Sequence, residues 1–225
     1  MILLDGKIAS QSVKDDLKQQ VIELQNNGSR SPHLAAILIG NDGASETYVA
    51  SKVKNCAEVG IESTLIRLDA TVSEAVLLEK IKALNHDNNI DGILVQLPLP
   101  KHISEAKVIE TIAPEKDVDG FHPISVGKLV QGLPTFIPAT PYGIMLMLEH
   151  FDIETKGKHV VVIGRSNIVG KPISIMLGND FNIGRATVTS CDINTPKSLL
   201  IEECQKADIV IVAVGKPCLV TADMI

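Results

Sequence analysis

Short apolar runs recur along this chain, each followed by a stretch whose apolar residues return at helical spacing. That alternation constrains the fold more than any other feature. Leu34–Ile39, Ser63–Leu68 and Ile93–Leu97 read as strands, and Ser12–Gln25, Ala44–Val59, Ser73–Leu84 and Ser104–Ile112 as helices. Strands separated by whole helices pair most readily in parallel, because a parallel partner needs a long, right-handed crossover. The rhythm breaks over Pro114–Pro141, rich in Pro and Gly, which predicts a functional loop or a connection between domains. Thr140-Pro141 then predicts a helix start, with Thr140 as N-cap and Pro141 at the first helical position. A second series follows, with strands Val160–Ile163, Ala186–Ser190 and Ile209–Val214 and helices Val169–Leu177 and Lys197–Lys206. The expected architecture is two α/β domains with parallel sheets, residues 1–140 and 141–225, the second Rossmann-like.

Composition removes several function classes. A net charge of −6 with no basic run argues against nucleic acid, and two Tyr, four Phe and no Trp leave no stacking platform for bases. The apolar start Met1–Leu4 ends at Asp5, too early for a signal peptide. No apolar run approaches the roughly 20 residues of a membrane span. Cys56, Cys191, Cys204 and Cys218 form no CxxC pair and the histidines show no metal spacing, so no metal is expected and a reduced, cytoplasmic compartment is.

Four stretches carry chemistry. Gln96 lies inside the apolar run Ile93–Leu97, which Pro98 and Pro100 stop at once. It therefore falls near the carboxyl end of a buried strand, where open α/β sheets bind ligands. The amide is either tied to neighbouring backbone or aimed at a polar partner from elsewhere. Tyr48 and Lys52, one helical turn apart on one face, supply that partner in the second reading; a lysine made neutral by burial is an acid or base. In the other reading they are a packing Tyr beside a solvated Lys. Asp117-Val118-Asp119-Gly120 is either turn chemistry or a carboxylate facing a pocket, and His122 before Pro123 reads as structural. Finally, Val160-Val161-Val162-Ile163-Gly164-Arg165-Ser166-Asn167-Ile168-Val169-Gly170-Lys171-Pro172 has the strand–turn–helix form of a nucleotide site. Ser166 stands where the usual motif has its middle glycine, and the last glycine falls one residue late.

Together these stretches resemble the methylenetetrahydrofolate dehydrogenase/cyclohydrolase family. The likeness runs through Asp5-Gly6, Gly40-Asn41-Asp42-Gly43-Ala44-Ser45, Tyr48-Val49-Ala50-Ser51-Lys52 and Gly92-Ile93-Leu94-Val95-Gln96-Leu97-Pro98-Leu99-Pro100. It continues through Lys116–Pro123, Pro138–Gly143 and Gly164–Pro172, and so covers the chain in order. The resemblance implies NAD(P)-dependent oxidation of 5,10-methylenetetrahydrofolate to the methenyl form and hydrolysis of that form to 10-formyltetrahydrofolate. It makes Lys52 the general acid/base, held and tuned by Gln96. Tyr48 stacks on the folate, Asp119 binds its pterin ring, and Val95 and Leu97 flank the same wall. Gly164, Arg165 and Ser166 hold the dinucleotide phosphates, next to Asp192 and Ile193. NADP is the implied cofactor, tetrahydrofolate derivatives are the partners, and a homodimer in one-carbon metabolism and purine biosynthesis is the implied setting.

Two departures stand out. The family's chains run on through another strand, a Pro-Gly-Gly-Val-Gly-Pro loop and a final helix. This chain stops at Ile225, so an incomplete second sheet is expected, and with it the alternative of a folate- or nucleotide-binding protein without turnover. The family also carries His-Ser after the second strand of its cofactor domain, with the Ser near the 2′-phosphate; Asp192 and Ile193 stand there instead. An acidic residue suits a free ribose 2′-hydroxyl and hence NAD, while Arg165 is available to a phosphate and hence NADP. A different dehydrogenase on the same plan would not need Tyr48, Lys52, Gln96 and Asp119 together.

Overall fold

Strands buried on both faces read as continuous apolar runs, as the central strands His33–Ile39 and His159–Ile163 do. The edge strands Glu62–Leu68 and Thr187–Cys191 carry polar residues; every strand pairs in parallel with its neighbour. The computed structural model describes residues 3–180 and 183–225, so Met1 and Ile2 of the apolar start lie outside the described residues. The chain forms two compact units, one built on Lys7–Pro123 and the other on Ile124–Ile225.

The first unit runs α1 (Gly6–Asn26), β1 (His33–Ile39), α2 (Gly43–Val59), β2 (Glu62–Leu68), α3 (Glu74–His86), β3 (Gly92–Val95) and α4 (Glu105–Thr111), with its sheet in the order β2-β1-β3. Local chemistry sets the boundaries. The Asp42, Ser73 and Ser104 side chains each accept a hydrogen bond from the backbone N–H three residues on, capping α2, α3 and α4. Gly60 ends α2 at φ 84, a left-handed conformation that glycine adopts without strain. Side chains alternate across the sheet. Ala35, Ile37, Ile39, Ile93 and Val95 pack under α3 and α4 against Leu77, Ile81 and Val108, whereas Ala36, Leu38 and Leu94 meet Val49 of α2.

The second unit repeats the plan with α5 (Pro123–Val130), α6 (Ala139–His150), β4 (His159–Ile163), α7 (Gly170–Gly178), β5 (Thr187–Cys191), α8 (Lys197–Lys206) and β6 (Ile209–Val212), its sheet ordered β5-β4-β6. Val160 and Val162 face Met145 and Leu148 of α6 and Ile173, Met176 and Leu177 of α7. Val161 and Ile163 face Leu200 and Cys204 of α8. Among the described residues no helix is long and apolar enough to cross a membrane.

Several expectations need correction. The stretch read as a functional loop or a connection between domains, Pro114–Pro141, does contain the boundary between the two units. It also holds α5, a helix of eight residues, too short for its spacing to stand out; Leu129 at 1% exposure ties it to the core. Helix α6 begins at Ala139 with Pro138 in the cap position, so Thr140 sits inside the first turn and caps nothing. Strand β3 ends at Val95, placing Gln96 and Leu97 just past it, because Pro98 and Pro100 have no N–H for the ladder. Gln96 N still donates to Ile37 O at 2.9 Å, the last rung.

Leu177 is fully buried between α7 and the second sheet. Leu177→Ala is expected to cost about 2–5 kcal/mol, read in urea as an earlier transition of the second unit's signal; an unchanged midpoint would contradict the packing described.

Candidate functional site

In the first unit the site forms where β3 stops and α2 passes. Period-two alternation continues from Leu94, which packs on Val49 and Val53 of α2, so Gln96 leaves the strand on the α2 side. Its Nε2 donates to Leu97 O at 2.7 Å, while Oε1 is buried with no hydrogen-bond partner. A buried acceptor left alone costs about 1–3 kcal/mol. Nothing in the local backbone relieves that cost, and Lys52 does not hydrogen-bond to it.

Lys52 is half-buried on α2, with Tyr48, 65% exposed, one turn before it. The loop after α4 completes the group. Asp117 pairs beside Ile93 as an extra rung at the edge of β3. Gly92 makes room for that loop, since a Cβ there would overlap Val118. Asp117 is 2% exposed and accepts from His122 N at 2.8 Å, so it builds the turn rather than facing a ligand, and His122 acts there through its backbone. The next carboxyl differs. Burial pushes the Asp119 carboxyl up, the Lys52 charge pulls it partly back, and Asp117 adds to the rise. Lys52 and Asp119 are thus within electrostatic reach of one another. Val95 is a core residue under α3, with no side-chain surface to offer a ligand, whereas Leu97 is half-buried past the strand end.

In the second unit the corresponding strand end carries a different device. Gly164 follows β4 at φ 122, and a side chain there would overlap the carbonyl of Ala213; one at Gly170 would overlap the carbonyl of Gly164. Only glycines let the turn and the start of α7 fold against the sheet this closely. Ser166 Oγ accepts from Val169 N at 3.1 Å and Gly170 N at 3.3 Å, capping α7. A serine in place of the usual middle glycine is therefore a helix cap.

Arg165 turns across to β5: Nη2 donates to Ser190 O at 2.6 Å and Nη1 pairs with Asp192 Oδ2 at 3.3 Å. Asp192 follows the last residue of β5, and its Oδ1 accepts from Asn194 N at 2.9 Å, while Ile193 is 98% exposed. Beside them opens a cleft of about 530 Å³, lined by Ile163, Asp192, Ile193 and Thr195 and on its other walls by Lys197 and Lys216. An apolar slot at the carboxyl ends of β4 and β5, next to a glycine turn and a helix start, fits the adenosine end of a dinucleotide. Sequence reasoning missed Lys197, Lys216 and the cleft wall, because no spacing motif marks residues gathered from separate segments. Among the described residues no group of three or more His, Cys, Asp or Glu is arranged to hold a metal ion.

The chain's relatives point the same way. Residues 4–119 match the sequence model for the catalytic domain of tetrahydrofolate dehydrogenase/cyclohydrolase, and residues 138–225 match its NAD(P)-binding domain. The bifunctional protein FolD 1 of Geobacter metallireducens is 54% identical over 225 residues, all of this chain and 78% of that protein. The crystal structure of the bifunctional FolD dehydrogenase/cyclohydrolase from Campylobacter jejuni superposes with a TM-score of 0.94 at 46% identity, covering 100% of this chain and 78% of that one. The Trypanosoma brucei enzyme, complexed with NADP cofactor and inhibitor, superposes at 0.92 with 32% identity, covering 100% and 75%.

A carboxyl whose folded-state pKa is raised holds its proton more tightly folded than unfolded. Its contribution is complete below the unfolded pKa and is lost as pH rises through the raised one. Asp119→Asn removes that loss. The variant is expected to melt above the wild type at pH 7, with the gap closing below about pH 4; a variant melting lower at neutral pH would contradict the burial assigned to Asp119.

Proposed function

The chain belongs to the tetrahydrofolate dehydrogenase/cyclohydrolase family, and we propose how its own residues serve that family's two reactions. It is a bifunctional enzyme: 5,10-methylenetetrahydrofolate is oxidised to the methenyl form, which is then hydrolysed to 10-formyltetrahydrofolate. The observation that carries the assignment of residues is the buried, unpartnered Oε1 of Gln96 beside a helix bearing Lys52 and a loop bearing Asp119.

The two reactions ask different things of the protein. Hydride transfer needs substrate and dinucleotide bound and oriented, and the dinucleotide supplies the hydride acceptor. Gly164 and Ser166 stand at its phosphate end, and Arg165, paired with Asp192, stands with Ile193 at the ribose. Hydrolysis needs proton traffic: the attacking water loses one proton on adding to the methenyl carbon and the second as its oxygen becomes the formyl carbonyl. The carbon–nitrogen bond breaks and the released ring nitrogen takes up one proton, leaving one for solvent. Lys52 is the group for both transfers by its place: it stands half-buried on α2, on the side of the sheet toward which Gln96 leaves β3, with Asp119 within electrostatic reach. Gln96 Oε1 accepts from the Lys52 ammonium or a substrate N–H once the site is filled. It holds that group without adding charge.

Asp119 accepts from the donor edge of the pterin. That interaction draws its raised pKa back toward the ionised form. Tyr48 offers an exposed ring for stacking, and Val95 and Leu97 complete the wall, Val95 through its backbone. We divide this work between residues 1–140, folate-binding and catalytic, and 141–225, dinucleotide-binding.

NADP is the family's expected cofactor and NAD the alternative raised by Asp192. A cytoplasmic homodimer feeding purine biosynthesis is carried by family membership alone. A binding protein without turnover is not favoured, since a relative 54% identical across the whole chain is named as bifunctional.

Lys52→Met separates the two reactions. Its 10-formyltetrahydrofolate rate is expected to fall about 10²–10⁴-fold, while nicotinamide reduction persists and the methenyl intermediate accumulates. A variant that makes 10-formyltetrahydrofolate at the wild-type rate would remove Lys52 from the chemistry.

A further inference from the structure

We propose that Asp192 makes this enzyme select a dinucleotide with a free 2′-hydroxyl over its 2′-phosphorylated form. The inference rests on the dinucleotide-binding reading of the second unit. In a βαβ nucleotide fold the residue just past the second strand meets the adenosine ribose, and an acid there accepts from its hydroxyls. Asp192 occupies that position, directly after Cys191 at the end of β5, and lines the cleft that fits the adenosine.

The carboxylate is held in place. Oδ1 accepts from Asn194 N, and the Asp192 backbone N–H donates to Thr195 Oγ1 at 2.9 Å, closing a tight loop around it. It is also the group that engages Arg165, whose other nitrogen is spent on the Ser190 carbonyl. Arg165 is the cation whose fork could clamp a 2′-phosphate. Here its charge is already matched, and a phosphate would have to displace a tethered carboxylate while lying against it. Like charges brought together in a binding site are strongly disfavoured, whereas a hydroxyl gains an acceptor at no such cost. Ile193, fully exposed, offers a phosphate no side-chain donor. Lys197 and Lys216 line the same cleft and attract the phosphates of either cofactor; the carboxylate of Asp192 is what separates the two.

The test is equilibrium binding, independent of turnover. Isothermal titration of the full chain with NAD and NADP, and with adenosine 5′-monophosphate and adenosine 2′,5′-bisphosphate, reads the 2′-group directly. The wild type is expected to bind the unphosphorylated member of each pair at least about tenfold more tightly. Asp192→Asn keeps the Oδ1 acceptor for Asn194 and removes the charge. Asp192→Ser removes the carboxylate altogether. Both are expected to shift the ratio at least about tenfold toward the phosphorylated ligand.

NADP binding the wild type as tightly as NAD, or folded variants that leave the ratio unchanged, would overturn the proposal. Binding of none of the four ligands by the wild type would overturn the dinucleotide reading beneath it, and the proposal with it.

Discussion

A parallel strand that stops inside a domain leaves polar groups with no rung to join, and something other than the sheet must satisfy them. At the end of β3 that condition is left open: Gln96 spends its nitrogen on Leu97 O and buries its oxygen unpartnered. The position is over-determined by its surroundings. Pro98 and Pro100 stop the ladder, Gln96 N is fixed to Ile37 O, and alternation commits the side chain to the α2 side. Lys52 and Asp119 are then brought within electrostatic reach of one another by a capped helix and by a loop tied to Ile93. A site left short of one partner by the fold is a site prepared for a ligand that brings it.

The second unit solves the same problem differently. There the strand end is closed by glycines at 164 and 170 that let backbone approach backbone, and by Ser166, which caps the helix that follows. In the reading we propose, one unit presents side chains for proton transfer and the other presents backbone and a cleft for a dinucleotide. That division matches the unequal demands of hydrolysis and hydride transfer.

Much of this was legible in the residues alone, and the reasons are local. Continuous runs such as Val160–Ile163 are unambiguous buried strands, and Ser73, Ser104 and Gly60 mark helix ends by chemistry that acts within one turn. Helix α5 was illegible because eight residues give too few repeats of the helical period; it is held by the burial of Leu129 and by Asn179, which donates to the carbonyls of Leu129 and Val130. Thr140 misled because the helix starts two residues sooner, at Ala139 with Pro138 in the cap position. At the sites, Lys52 and Gln96 could be named from sequence, but the unsatisfied Oε1 could not, since satisfaction depends on every neighbour. The pairing of Arg165 with Asp192 was likewise invisible: each residue argued for a different cofactor until the structure joined them.

The most direct measurement follows both products in one reaction. The wild-type chain is mixed with 5,10-methylenetetrahydrofolate and either nicotinamide dinucleotide, and reduced nicotinamide and 10-formyltetrahydrofolate are quantified at successive times. The account predicts that both rise together, with 10-formyltetrahydrofolate forming well above the spontaneous hydrolysis of added methenyl compound. Reduction without accelerated hydrolysis, or no reduction with either dinucleotide, would contradict it.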